Sequence, residues 1–187
     1  GVFPIERLLF GCSDEVNYKT IGDPMTCIKL LLKYGSHPEI LYNSSKYPES
    51  YQTAIFSVCY GGDPHIFSLL LNEIDNNSNY NSEDKHKLLH LEHTGFKVTP
   101  LEIAAEKNNS ECVKLLIKHN VDIDMKSTEN GNTAIMTAMK RFSDESVMTL
   151  FNVKADMTIH NNDGESAIDV LRKLKTQVDE QMNNLIN

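Results

Sequence analysis

His86, His90 and His93 form the one cluster in this chain whose residue types and spacing could hold a metal. On a helix, His86 and His90 would share a face one turn apart, and imidazole is a common zinc ligand. The same stretch, Lys85-His-Lys-Leu-Leu-His-Leu-Glu-His, also reads as a short amphipathic helix laid on its neighbours, which leaves no metal site. Cys12, Cys27, Cys59 and Cys112 are widely spaced, include no C-x-x-C pair, and fall mostly inside apolar helical patterns. They read as reduced, buried small hydrophobes, which places the chain in the cytoplasm, the nucleus or both. Gly61-Gly62-Asp63 reads as a turn and not as a phosphate cradle. No nucleophile elbow, Walker loop, dinucleotide fingerprint or H-E-x-x-H spacing occurs. Without a convergent acid, base and nucleophile, the residues point to no catalytic, cofactor-binding or metal site, and the expectation is a protein that is not an enzyme.

The balance of the chain narrows its partners. A net charge of −8 over 187 residues argues against direct nucleic-acid binding and against an anionic membrane surface. Apolar runs such as Ile28 to Leu32 and Phe67 to Leu71 are far shorter than the roughly 20 residues that span a bilayer. An apolar content of 40% supports a core distributed along stacked helices. The partner expected is therefore another protein.

The elements that carry these residues come from laying the chain against itself. Thr99-Pro-Leu-Glu-Ile-Ala-Ala precedes Cys112-Val-Lys-Leu-Leu-Ile-Lys-His-Asn-Val-Asp-Ile, and Asn132-Thr-Ala-Ile-Met-Thr-Ala precedes Val147-Met-Thr-Leu-Phe-Asn-Val-Lys-Ala-Asp-Met. Asp163-Gly-Glu-Ser-Ala-Ile-Asp-Val opens another copy, and Gln52-Thr-Ala-Ile-Phe-Ser-Val and Phe3-Pro-Ile-Glu-Arg-Leu-Leu are earlier ones. Thr99 and Thr133 stand 34 residues apart, and Thr133 and Ser166 stand 33 apart. The spacings from Phe3 to Thr53 and on to Thr99 are longer, which calls for insertions at about 13–23 and 74–97.

Local chemistry fixes the phase. Thr99-Pro100-Leu101-Glu102 has the form of a capping box with Pro in the first turn, and Ser166-Ala-Ile-Asp169 is a weaker copy. Asp23-Pro24 and Asp63-Pro64 are N-cap pairs for second helices, and Ser143-Asp-Glu opens another. The pattern predicts helices at about 4–11, 25–34, 53–60, 64–73, 100–107, 110–119, 134–141, 144–151 and 167–186. The polar second half of the last, with Gln177, Asp179, Glu180, Gln181, Asn183 and Asn184, reads as a solvated capping helix.

A period near 33 with T-P-L-x-x-A opening the first helix resembles the ankyrin-repeat family over nearly the whole chain. The resemblance implies an all-α ankyrin-repeat solenoid of about five helix-turn-helix repeats with irregular insertions. It makes residues 1–187 a single domain, with repeats at about 1–42, 48–75, 94–127, 128–160 and 161–187 and an insertion at about 74–97. The family's His after T-P-L is replaced by Glu6, Phe56, Glu102, Met136 and Asp169, so its hydrogen-bond ladder between repeats is expected to be missing. Its turn Gly survives as Gly62, with Asn108 the nearest substitute.

The resemblance also implies a function: a scaffold that binds a partner protein through the concave surface of hairpins and first helices. Aligned onto that surface are Tyr51, Tyr60, Phe96, Val98, Glu106, Lys107, Glu129, Asn130, Asn132, Lys140, Arg141, Asn162, Asp163, Glu165 and Lys173. Phe96 admits two readings, contact with a partner or packing on the 74–97 insertion. Lys107, Lys140, Arg141 and Lys173 fall on successive repeats and would form a basic ladder facing the acidic hairpin residues. The alternative function is the regulatory or targeting part of a larger enzyme, channel or transcription regulator.

Overall fold

A computed structural model describes residues 42–44, 47–52, 54–76, 78 and 81–186. The helices expected at 4–11 and 25–34, the Tyr51 side chain, and Cys12 and Cys27 lie outside the described residues. Eight helices follow in order among the described residues: α1 (Ala54–Gly61), α2 (Pro64–Asn76), α3 (Ser82–His90), α4 (Pro100–Glu106), α5 (Ser110–Lys118), α6 (Ala134–Lys140), α7 (Asp144–Asn152) and α8 (Ala167–Ile186). Helices α1, α4, α6 and α8 pack side by side as one layer, and α2, α5 and α7 back them as a second. This is the all-α repeat architecture that the period of the sequence implies.

The packing follows from side-chain size. Ala104, Ala105, Ala134, Ala138 and Ala167 are buried on the inner layer, where small side chains let backbones approach closely. Phe56, Phe67, Leu70, Leu71, Leu116, Ile135, Met136 and Leu150 are buried between the layers. Cys59 and Cys112 are buried free thiols, and burial pushes the Cys112 thiol up to about 12.

The turns repeat with the helices. Gly62 (φ 78°), Asn108 (φ 57°) and Phe142 (φ 59°) end the inner helices in the left-handed region, and Asn120 and Lys154 do so after the outer ones. Asn108 thus takes the turn-glycine role expected of it. Phe142 does so against the steric preference of a bulky residue. A Cβ on Gly62 would collide with the Asn109 side chain.

Several expectations are corrected. No sheet was expected, yet β1 (Tyr42–Ser44) and β2 (Tyr47–Gln52) pair antiparallel, with an irregularity between Asn43 and Ser44. The short helix read in the Lys85 to His93 stretch is present as α3, and its N-terminus carries a reciprocal capping box. Asn81 Oδ1 accepts from the Asp84 amide, and Asp84 Oδ2 accepts from the Asn81 amide. Asn76 ends α2, and Asn81 caps α3. At α4, Thr99 Oγ1 accepts from the Glu102 amide at 3.1 Å, but Glu102 does not reach back. The copy at α8 is the complete box: Ser166 Oγ accepts from the Asp169 amide, and Asp169 Oδ2 accepts from the Ser166 amide and hydroxyl. Ser143 makes no side-chain cap for α7, because its hydroxyl donates to the Glu106 carbonyl of the preceding repeat.

Candidate protein-binding surface

The hairpins that open each inner helix are built from polar side chains at a fixed spacing. His93, Ser127 and Asn161 stand 34 residues apart in turn. The His93 amide donates to the Val98 carbonyl and the Ser127 amide to the Asn132 carbonyl, both at 3.0 Å, while the Asn161 amide donates to the Glu165 carbonyl at 2.9 Å. His93 Nδ1 accepts from the Gly95 and Phe96 amides, as Asn161 Oδ1 accepts from the Asp163 and Glu165 amides. Burial between Phe56 and Phe96 holds the His93 ring below its ordinary pKa, which suits a ring that must stay an acceptor. His90 is engaged as well: Nδ1 lies 2.6 Å from the His86 carbonyl, and Nε2 accepts from the Asp122 amide at 2.7 Å. The three histidines thus serve hairpin and helix geometry. Among the described residues, no group of three or more His, Cys, Asp or Glu is placed to hold a metal.

Successive repeats are tied by polar bonds, so the expected absence of a ladder is overturned. Glu102 Oε1 accepts from the Thr137 hydroxyl of the next repeat at 2.7 Å. Asn132 Oδ1 accepts from Asn161 Nδ2 at 2.8 Å, and the Asn130 carbonyl accepts from the Asn162 amide. Glu92 accepts from both the amide and the hydroxyl of Thr128. On the outer layer, Asn108 Oδ1 accepts from the Ser146 amide and Asp124 Oδ1 from the Asp156 amide. The ladder lacks His after T-P-L, but Glu, Thr and Asn supply its rungs.

The aligned surface residues divide into three groups. Val98 and Asn132 are buried and do not line an open face, which corrects their placement. Val98 fills the core beneath its hairpin, and Asn132 is consumed by the ladder and by Lys140 Nζ at 3.2 Å. Asn130 braces its own hairpin, accepting from the Ser127 hydroxyl and the Asn132 amide. Phe96 stacks on His93 with ring centroids 4.6 Å apart and keeps 46% of its surface exposed. Tyr60, Lys107, Glu129, Lys140, Arg141, Asn162, Asp163 and Lys173 are exposed.

The basic ladder is interleaved with carboxylates. Glu106 pairs with Lys107 at 3.6 Å and with Arg141 at 3.5 Å, and Lys107 Nζ lies 4.7 Å from the centre of the Tyr60 ring. Glu165 pairs with Lys140 at 3.2 Å and, in a close contact, with Lys173. Those two ammonium groups, Lys173 first, hold the Glu165 carboxyl down to about 2. The strip is thus a series of charge clamps, each joining one repeat to the next and each leaving ammonium and guanidinium donors at the surface.

The sequence reading also missed an apolar stripe on α8. Leu171, Val178, Met182 and Leu185 are exposed, while Leu174 is partly buried against the core. Their spacing was legible, but the polar residues around them led to a solvated helix.

Two comparisons place the chain among known proteins. Residues 79–163 match the family described as ankyrin repeats (3 copies), and this stretch is an ankyrin-repeat array. The match opens just before α3 and ends at Asp163 in the third of these hairpins. The chain is also similar to ankyrin repeat and SAM domain-containing protein 6 of mouse, 32% identical over 80 residues, which is 43% of this chain and 9% of that protein. It is 33% identical over 87 residues to a putative ankyrin repeat protein of fowlpox virus (strain NVSL), covering 41% of this chain and 26% of that one. The matched stretch therefore spans well under a third of each relative. Ankyrin repeats are in general non-enzymatic modules for protein–protein interaction. Among the described residues, no helix is long and apolar enough to cross a membrane.

Proposed function

We propose that this chain is a scaffold that binds a partner protein on the face shared by its hairpins and inner helices. The observation that carries the reading is the clamped strip of Tyr60, Lys107, Arg141, Lys140 and Lys173, held in place by Glu106 and Glu165 across successive repeats. Charges positioned by the fold meet a partner with little further ordering, and complementary charge sets on-rate and specificity. The partner's contacting segment carries carboxylates toward the lysines, with polar or basic groups toward Glu129 and Asp163. The buried free thiols of Cys59 and Cys112 accord with an intracellular setting, cytoplasmic or nuclear.

The test is capture from native cells with the parent chain, with Lys140→Glu combined with Arg141→Glu, and with Met148→Ser as an outer-helix control. A protein retained by the parent and the control but lost or bound at least tenfold more weakly by the double variant supports the reading. Equal retention by all three overturns this face. The second reading, a regulatory or targeting part of a larger protein, is favoured by the small share of each relative that this chain matches. Sequencing the complete transcript separates the two.

A further inference from the structure

Helix α8 is 20 residues long, against 7 for α4 and α6, and residues 175–185 are exposed throughout. Along it run Leu171, Leu174, Val178, Met182 and Leu185, at steps of 3, 4, 4 and 3. At 100° per residue these five fall within an arc of about 80°, so they form one straight stripe. The 11-residue repeat from Leu171 to Met182 and from Leu174 to Leu185 keeps that stripe nearly parallel to the helix axis. The order of steps reads the same from either end, with Val178 at the centre.

We propose that this stripe is a self-association surface: α8 of one copy packs antiparallel on α8 of a second, about a two-fold axis at Val178. Antiparallel pairing sets Leu171 against Leu185 and Leu174 against Met182 of the second copy, with Val178 facing itself. A closed two-fold interface of this kind uses the same patch on both chains. The flanking charges select this orientation. Lys175 and Asp179 lie on the same side of the stripe, and the two-fold keeps that side common to both copies. Lys175 then comes within about 3 Å, measured along the axis, of Asp179 of the second copy, the reverse pair forms as well, and the two Asp179 carboxylates, which also approach near the axis, are bracketed by the two lysines. Gln177, Gln181 and Asn184 line the other flank and place no like charges there. A parallel pair would instead set this charged flank against Gln177, Gln181 and Asn184 of the second copy and form no ion pair. Five apolar residues a side make a patch at the small end of specific interfaces, so the dimer is weak.

Sedimentation of the 187-residue chain from about 1 to 200 μM tests this directly. The expected result is a reversible shift from monomer to dimer. A monomer at every concentration, or growth beyond a dimer, overturns the proposal. Val178→Asp places two carboxylates on the axis and should weaken association at least tenfold with an unchanged Tm, because Val178 is exposed in the single copy. Should that variant lose its fold, Lys175→Glu is the substitute: it should weaken the dimer, and combination with Asp179→Lys should restore it. Dimerisation indifferent to these changes overturns the surface. Orientation is read by oxidative cross-linking in a chain with Cys12→Ser and Cys27→Ser. Val178→Cys should link to itself, and Leu171→Cys only to Leu185→Cys. Self-linking of Leu171→Cys would mean parallel pairing and overturn the arrangement.

Discussion

Glu102 and Glu165 are both glutamates that accept hydrogen bonds across a repeat boundary, yet their surroundings drive them in opposite directions. Glu102 lies between α4 and α6, where Thr137 supplies one hydroxyl and, among the described residues, no cation stands beside it. Burial pushes its carboxyl from the usual 4.5 up to about 7, and the bond from Thr137 only partly offsets this. Its Oε2 finds no partner among the described residues. Glu165 sits at the rim between two ammonium groups and is held down to about 2. The difference teaches that the boundary between the third and fourth repeats buries an ionisable carboxyl beneath its rim clamp of Glu106 and Arg141, while the next one carries its glutamate at the edge between two ammonium groups. Glu102 should respond to pH and barely to salt, and Glu165 to salt and barely to pH across the neutral range.

The largest effect sets the scale. Leu116→Ala or Leu101→Ala removes a buried side chain beside the Glu102 boundary and should cost about 2–5 kcal/mol in urea unfolding. A loss below half a kcal/mol at both sites would mean that boundary is not close-packed. Next is the pH dependence. Between pH 4.5 and 7, folded Glu102 holds a proton that the unfolded chain releases. Stability from this group is therefore fully present below 4.5 and is lost as pH rises through 7, by about 3 kcal/mol in total. Urea titrations at pH 5 and pH 8 should show that loss in the parent and not in Glu102→Gln; equal slopes in the two would break the comparison. Thr137→Val takes the hydroxyl from Glu102 Oε1 and should cost about 1–3 kcal/mol, more at pH 8 than at pH 5. The smallest change is Glu165→Gln, which should leave Tm nearly unchanged in physiological salt and lower it only at low ionic strength, since exposed ion pairs are screened.

The helices were legible because their signals are local. Asp63 caps α2 by accepting from the His65 and Ile66 amides, as the Asp-Pro pair announces, and Thr99-Pro100 starts α4 where expected. The exposure of charged residues such as Lys107 and Arg141 was legible too, because a long cation at the end of an exposed turn has little choice but solvent. What the sequence hid depends on partners some 30 residues away. Val98 looks like a hairpin-tip residue until the hairpin folds onto the core, and Asn132 looks free until Asn161 and Lys140 claim its oxygen. Glu102 sits where a reciprocal cap is possible, but the Thr137 hydroxyl one repeat on takes its oxygen. Asp169 keeps its box, because its shorter side chain reaches back to Ser166. The α8 stripe was overlooked because its residues are three or four apart and the polar ones between them dominate any local average.

Almost every polar tie between repeats described above joins immediate neighbours, and that has a mechanical consequence. Pulled from its ends, such an array has no distant bracket to share the load, so it should yield one repeat at a time and reclose in the same sequence. The boundary that gives way first is set by its own few bonds: at neutral pH the Glu102 junction is the softer link, and in acid it stiffens. A force–extension record with evenly spaced steps of about 33 residues, whose weakest step strengthens on acidification, is the signature this arrangement should write.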